Sequence, residues 1–146
     1  MSQTQNKISV SPQGEAFPLP ELSDYAAEYE RVKALAEAAR ESGKEVVVVM
    51  GVGFVGAVMA AIVADCEGKD GQPSKFVIGC QRPSTRSFWK IPLLNRGVSP
   101  VKAEDPQVDL LIGRCVLDKK TLIATYNSQV LDLADCVVID VQCDFL

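Results

Sequence analysis

The chain contains no histidine. That absence excludes Ser-His-Asp and Cys-His nucleophile systems built within the chain, and it removes the commonest metal ligand. No apolar run reaches the roughly 18 residues of a membrane-spanning helix, because Gly51, Gly53 and Gly56 interrupt the longest one. The opening segment, MSQTQNKISVSPQG, is polar and lacks the apolar core of a secretory signal, so the cytoplasm is the expected address. Cysteine is sparse. Cys66, Cys80, Cys115, Cys136 and Cys143 are odd in number and lack C-x-x-C spacing, which argues against a disulfide framework and a zinc site. All but one lie in apolar periodic segments and read as reduced core residues.

What is present suits one compact domain. A length of 146 residues allows a sizeable core but not two full domains. The net charge of −4 conceals an asymmetry. Between Lys75 and Lys102 lie Arg82, Arg86, Lys90 and Arg96, with no acidic residue. A short cationic strip on an otherwise acidic chain fits a small anionic ligand better than a nucleic acid, which would call for a broad basic face. The alternative is a solvated loop that happens to be basic.

Residues 1–19 are polar, carry Pro12 and Pro18, and read as a flexible segment. The remainder, 20–146, reads as one domain. A helix is expected over 21–42, because Leu22, Tyr25, Tyr29, Val32, Ala36 and Ala39 step by threes and fours. Strands are expected at 45–50, 75–80, 121–125 and 136–141, with helices at 54–66 and 105–118 and a short helical turn in SQVLDLA. Pro83, Pro92 and Pro100 break the stretch 81–103, which reads as irregular. Strands alternating with helices predict an α/β fold, a Rossmann-like parallel sheet with flanking helices, preceded by an N-terminal helix.

The segment VVVVMGVGFVG carries the chemistry. A G-x-G-x-x-G motif means little alone, but here it leaves a predicted strand and opens a predicted helix. Gly51 permits the sharp turn, Gly53 lets a diphosphate approach the backbone, and Gly56 lets the helix pack against the sheet. The amides near Phe54 and Val55 would then face an anion with the helix dipole behind them. A turn that uses glycine for packing alone is the competing reading. The acidic residue expected at the end of the second strand, which would bond the ribose of NAD, is missing: the strand ends GCQRPSTR. Gln81 stands in its place and Arg82 follows. An arginine there accepts a 2′-phosphate, with Ser84, Thr85 and Arg86 as further donors, so NADP is expected at least as strongly as NAD. Alternatively, Arg82 is solvated and the Gln81 amide bonds the ribose. Phe88 and Trp89 either stack on an adenine or anchor their loop on the core.

From Glu45 to Val141 the chain resembles the N-terminal domain of the UDP-glucose/GDP-mannose dehydrogenase family. VVVVMGVGFVG and FVIGCQR match its first two strands. LLNRGVSPVKAED, with Asn95, Gly97, Pro100 and Glu104, is similar to its N-x-G-x-x-P-x-x-E-P segment, and TLIATYN, with Thr125, to its L-x-x-T-x-D segment. The resemblance implies a cofactor-binding role, with Thr125 among the cofactor-binding residues. Family members oxidise an alcohol of a nucleotide sugar with NAD. Their catalytic cysteine and lysine lie in a later part that the resemblance does not cover, so no catalytic residue and no metal ligand is assigned here. Cys143 falls in the wrong part of the pattern for that cysteine. The chain departs from the family at Gln81, at Asn127 in place of aspartate, and at VQCDFL in place of a turn ending Thr-Pro.

These readings describe the dinucleotide-binding domain of a nucleotide-sugar dehydrogenase, inactive without a C-terminal substrate domain. The second reading is a stand-alone nucleotide-binding or regulatory module. The ending just past a buried-type strand suggests an excised domain or a truncated product, and surface left uncovered by the missing part predicts self-association as a homo-oligomer. No nucleic-acid or membrane partner is expected.

Overall fold

A computed structural model of the chain describes residues 7–140. Its centre is a parallel four-stranded sheet of β3 (Glu45–Met50), β4 (Lys75–Cys80), β5 (Leu122–Thr125) and β6 (Cys136–Ile139), in the order β5-β4-β3-β6. Val46 to Val49 are all buried, because β3 is covered on both faces. Alternation sends Val47 and Val49 into one core and Val46 and Val48 into the other. Fully burying each valine contributes about 1.5–3 kcal/mol.

Each face is covered by a helix with small residues towards the sheet. On one side, α2 (Phe54–Ala64) brings Ala60, Ala61 and Ala64 against Val47, Val49 and Val77. On the other, α1 (Tyr25–Glu41) brings Val32, Ala36 and Ala39 against Val46, Val48 and Phe76. The fold is therefore α/β, with helices flanking a parallel sheet. Leu22, expected on the α1 face, is 91% exposed and lies in a 3-10 turn before the helix.

The chain begins differently from expectation. The first element is not a helix but an antiparallel hairpin, β1 (Ile8–Val10) with β2 (Ala16–Pro18), inside the segment read as flexible. Its pattern is inverted: Ser9 is buried, while Ile8 and Val10 are exposed. The buried Ser9 hydroxyl accepts a hydrogen bond from the Trp89 backbone N–H at 3.1 Å. Phe17 is buried beneath the Arg96 guanidinium, 5.3 Å from its ring centroid, and Arg96 also pairs with Glu15 at 2.9 Å. The hairpin is held by a segment some eighty residues away, which local sequence does not announce.

The stretch 81–103 contains α3 (Lys90–Asn95), which buries Ile91, Leu93 and Leu94. Its last residue completes the open edge of β5: Asn95 Oδ1 accepts from Ala124 N at 2.8 Å, and its Nδ2 donates to Ala124 O at 3.0 Å. The final major helix, α4 (Pro106–Gly113), starts at Asp105, whose carboxylate accepts from Gln107 N, and ends in a wider π turn over Arg114–Asp118. Cys80 and Cys115 are buried as expected, whereas Cys66 and Cys136 are exposed. The end of the fourth expected strand, at Val141, and Cys143 lie outside the described residues. Among the described residues, no helix is long and apolar enough to cross a membrane.

Candidate functional site

The strand order reverses direction between β3 and β6, since β4 and β5 lie on one side of β3 and β6 on the other. In open parallel sheets, ligands bind beyond the carboxyl ends of the strands at such a switch point. The glycine turn between β3 and α2 occupies that place. Gly51 leaves the strand with φ +97°, a left-handed conformation that glycine adopts without strain. Its N–H donates to Cys80 O at 2.8 Å, and the next N–H, from Val52, donates to Gln81 Oε1 at 3.1 Å. The end of β4 thus braces the turn.

The three glycines differ in what surrounds them. A β-carbon on Gly56 would lie 1.9 Å from the Gly51 carbonyl oxygen, so the helix can sit against the turn only without one. A β-carbon on Gly53 would meet nothing within 4 Å. Gly53 is also the N-cap of α2 and supplies no side-chain acceptor, so the first helical N–H groups, including those of Phe54 and Val55, are left to an outside acceptor. Space at Gly53, uncapped amides and the positive end of the helix dipole coincide at one point. The residues present fit a diphosphate.

A cleft of about 1030 Å³ opens over this turn. Gly51, Gly53, Phe54, Val55, Gln81 and Arg82 all line it. Gly56 lies behind the turn. Arg86 is exposed on the following loop and is not a lining residue; its carbonyl accepts the Trp89 indole N–H at 2.7 Å. Thr125 is fully buried at the end of β5, where its hydroxyl donates to Glu28 Oε2 at 3.1 Å and accepts from Asn127 N at 3.3 Å. The first bond joins β5 to α1; Thr125 does not line the cleft, although its carbonyl accepts the N–H of the lining residue Gln81 at 3.0 Å. Phe88 packs edge-on against Tyr126, with centroids 5.9 Å apart, and Trp89 is tied to the hairpin. Both serve as loop anchors.

The cleft also contains two charged residues that sequence reasoning did not assign to it, Lys90 and Asp140. Lys90 figured only in the basic strip; it arrives because the 81–89 loop folds back to start α3 beside the cleft. Together with Arg82 it gives the β4 side a positive character. Cys80 also lines the cleft, but burial pushes its thiol up to about 11, so at neutral pH it is a protonated thiol and a poor nucleophile. The arrangement offers donors and cations for an anion.

No family model matches the chain, and no curated protein does. Among solved structures, it matches an NDP-N-acetyl-D-galactosaminuronic acid dehydrogenase from Methanosarcina mazei Go1 at 33% identity, with a TM-score of 0.62. That match covers 77% of this chain and 22% of the other. It also matches a UDP-glucose dehydrogenase from the hyperthermophilic archaeon Pyrobaculum islandicum at 20% identity, with a TM-score of 0.54, over 67% of this chain and 20% of that one. The second likeness is one of fold. The chain thus spans about a fifth of the length of these proteins and corresponds in structure to one domain of NDP-sugar dehydrogenases.

Proposed function

We propose that this chain, which matches NDP-sugar dehydrogenases over a single domain, is the NAD- or NADP-binding unit of a nucleotide-sugar dehydrogenase. The observation that carries this reading is the open, uncapped first turn of α2 at Gly53, facing the switch-point cleft. The diphosphate would lie on the turn between Gly51 and Val55, with the glycine-only approach at Gly53. A bound nicotinamide dinucleotide supplies a hydride acceptor for oxidation of a sugar alcohol. This chain's residues bind and orient it; the groups that would hold the sugar nucleotide belong to a substrate domain, and we expect no turnover from this chain alone.

Gln81 and Arg82 bear on the choice of cofactor. The Gln81 amide oxygen is engaged by Val52 N–H, so Gln81 braces the turn and keeps its NH2 as a donor. A carboxylate, which would accept the ribose hydroxyls and repel a 2′-phosphate, is missing from this position. Arg82 and Lys90, both on the cleft, are the cations available to a 2′-phosphate. These features favour NADP at least as much as NAD.

The decisive experiment is titration with NAD, NADP and ADP-ribose, followed by calorimetry, on the wild type and Gly53→Ala. Because the added methyl meets no protein atom, the variant should fold normally and lose tenfold or more in affinity for each ligand. Unchanged affinity would remove the diphosphate from the turn. Arg82→Ala should abolish any preference for NADP. The Gln81 substitution also favours a second reading, a nucleotide-binding or regulatory module without dehydrogenase activity; binding of ADP-ribose with equal indifference to both nicotinamide forms would favour it.

A further inference from the structure

Asp140 is placed where a carboxylate works against the ligand that the rest of the cleft favours. Its backbone N–H donates to Met50 O at 2.9 Å, which sets it alongside the glycine turn. A β-carbon on Gly51 would lie 2.5 Å from the Asp140 carbonyl oxygen and 3.8 Å from its Cβ. A β-carbon on Gly56 would lie 3.0 Å from Asp140 Oδ2. The carboxylate therefore rests against the first turn of α2, half-buried, on the wall of the cleft. Among the described residues, no side chain forms an ion pair with it, and no donor is hydrogen-bonded to it. Arg82 and Lys90 belong to the β4 side of the same cleft, whereas Asp140 follows β6. The site is polarised: cations at one wall, an anion beside the helix start.

We propose that Asp140 is a negative determinant of ligand specificity in this cleft. The proposal rests on the diphosphate reading given above. The Asp140 carboxylate is an internal anion at the positive end of α2, and it competes with an incoming diphosphate for that field. Negative charge placed near Asp140 at the helix start is therefore penalised, whereas a 2′-phosphate on the β4 side meets Arg82 and Lys90 instead. Oxidised nicotinamide dinucleotide carries one positive charge on its ring, so its net negative charge is one less than that of the reduced form or of ADP-ribose. Asp140 accordingly favours the oxidised cofactor, the form a dehydrogenase needs to accept hydride, and disfavours simple diphosphates. Two like charges within several ångströms at the edge of a protein interact strongly enough to change affinity about tenfold, and added salt weakens the effect.

The test compares dissociation constants for NAD+, NADH and ADP-ribose in the wild type, Asp140→Asn and Asp140→Ser, at low and high salt. Circular dichroism and thermal unfolding establish that each variant is folded. Both substitutions should tighten ADP-ribose and NADH binding about tenfold and NAD+ binding less, narrowing the oxidised-to-reduced preference. A wild type that fails to bind ADP-ribose beside a variant that binds it would support the proposal most directly. Equal or weaker binding by both folded variants, with Gly53→Ala still abolishing it, would overturn the role of Asp140 and leave the diphosphate site standing. Absence of binding by every protein, including both variants, would overturn the two readings together.

Discussion

The Gly51 carbonyl oxygen sits 1.9 Å from where a β-carbon on Gly56 would lie. That contact is between backbone elements at the start and end of one tight turn, so no side chain can rotate away to relieve it. Gly56→Ala is expected to destabilise the fold by about 3 kcal/mol or more, as over-packing against an immovable neighbour does. Gly53→Ala, with nothing near its new methyl, should cost under about 1 kcal/mol. Urea unfolding of the two variants checks the difference. Equal costs would mean that the turn can spread.

The edge of β5 should depend chiefly on one side chain, with Arg31 adding only a long contact to the Ala124 carbonyl at 3.5 Å. Asn95 satisfies both the N–H and the carbonyl of Ala124, as a neighbouring strand would. Asn95→Ala leaves both partly buried groups without that partner, and a loss of about 2 kcal/mol is expected. Asn95→Asp retains the acceptor but sets a carboxylate against the Ala124 carbonyl, so it should not rescue stability. Denaturant titration of both variants tests this.

Acid should weaken one tie between α2 and the π turn. The Asp65 carboxyl is lowered from 3.8 to about 2, chiefly by hydrogen bonds from Arg114 and then Lys119. A group whose pKa falls on folding stabilises the protein above its unfolded value and loses that contribution as pH drops through the folded value. The window is therefore pH 4 to 2. Asp65 is partly exposed to solvent, so the contribution is about 1 kcal/mol or less. Asp65→Asn should flatten the stability profile in this window without removing all of its slope, since hydrogen bonding from Val46 N–H and Arg40 also lowers Asp135. Unfolding free energies measured from pH 6 to pH 2 decide it.

Thiol labelling should divide the cysteines. Burial pushes Cys80 and Cys115 up to about 11, while Cys66 and Cys136 are exposed. Iodoacetamide at pH 8 should modify Cys66 and Cys136 in the native protein, and Cys80 and Cys115 only after denaturation. Peptide mass spectrometry reads the result, and rapid native labelling of Cys80 would show that the cleft opens to its floor.

Self-association is expected through β6. Among the described residues this strand is at the edge of the sheet, with Val137 43% and Ile139 68% exposed. Unpaired strand edges with apolar side chains tend to pair with another chain. Sedimentation velocity should show concentration-dependent oligomers, reduced by Ile139→Lys. A single monomeric species at high concentration in the wild type would contradict the expectation.

Much of the sheet was legible because its strands carry an unambiguous local signal. Val46–Val49 and Phe76–Ile78 are short, β-branched or aromatic apolar runs of the kind a strand buried on both faces carries, and β3 and β4 fall at the expected bounds. The helix of α1 was legible through its period. The hairpin was not, because its inward residue is Ser9 and its apolar Ile8 and Val10 face outward. The buried Ser9 hydroxyl is satisfied by the Trp89 backbone N–H, a partner that only the completed chain provides.

The sequence by itself determined the parallel α/β plan and the glycine turn, since both follow from short-range rules: β-branched runs, helical periodicity and the absence of side chains at Gly51, Gly53 and Gly56. Only the tertiary structure decided who shares the cleft. It turned Thr125 into a buried tie to Glu28, engaged Gln81 with the turn, and brought Lys90 and Asp140 to the glycine turn. Those placements depend on the strand order, which brings the ends of β4 and β6 to opposite sides of β3, and no local pattern records that neighbourhood.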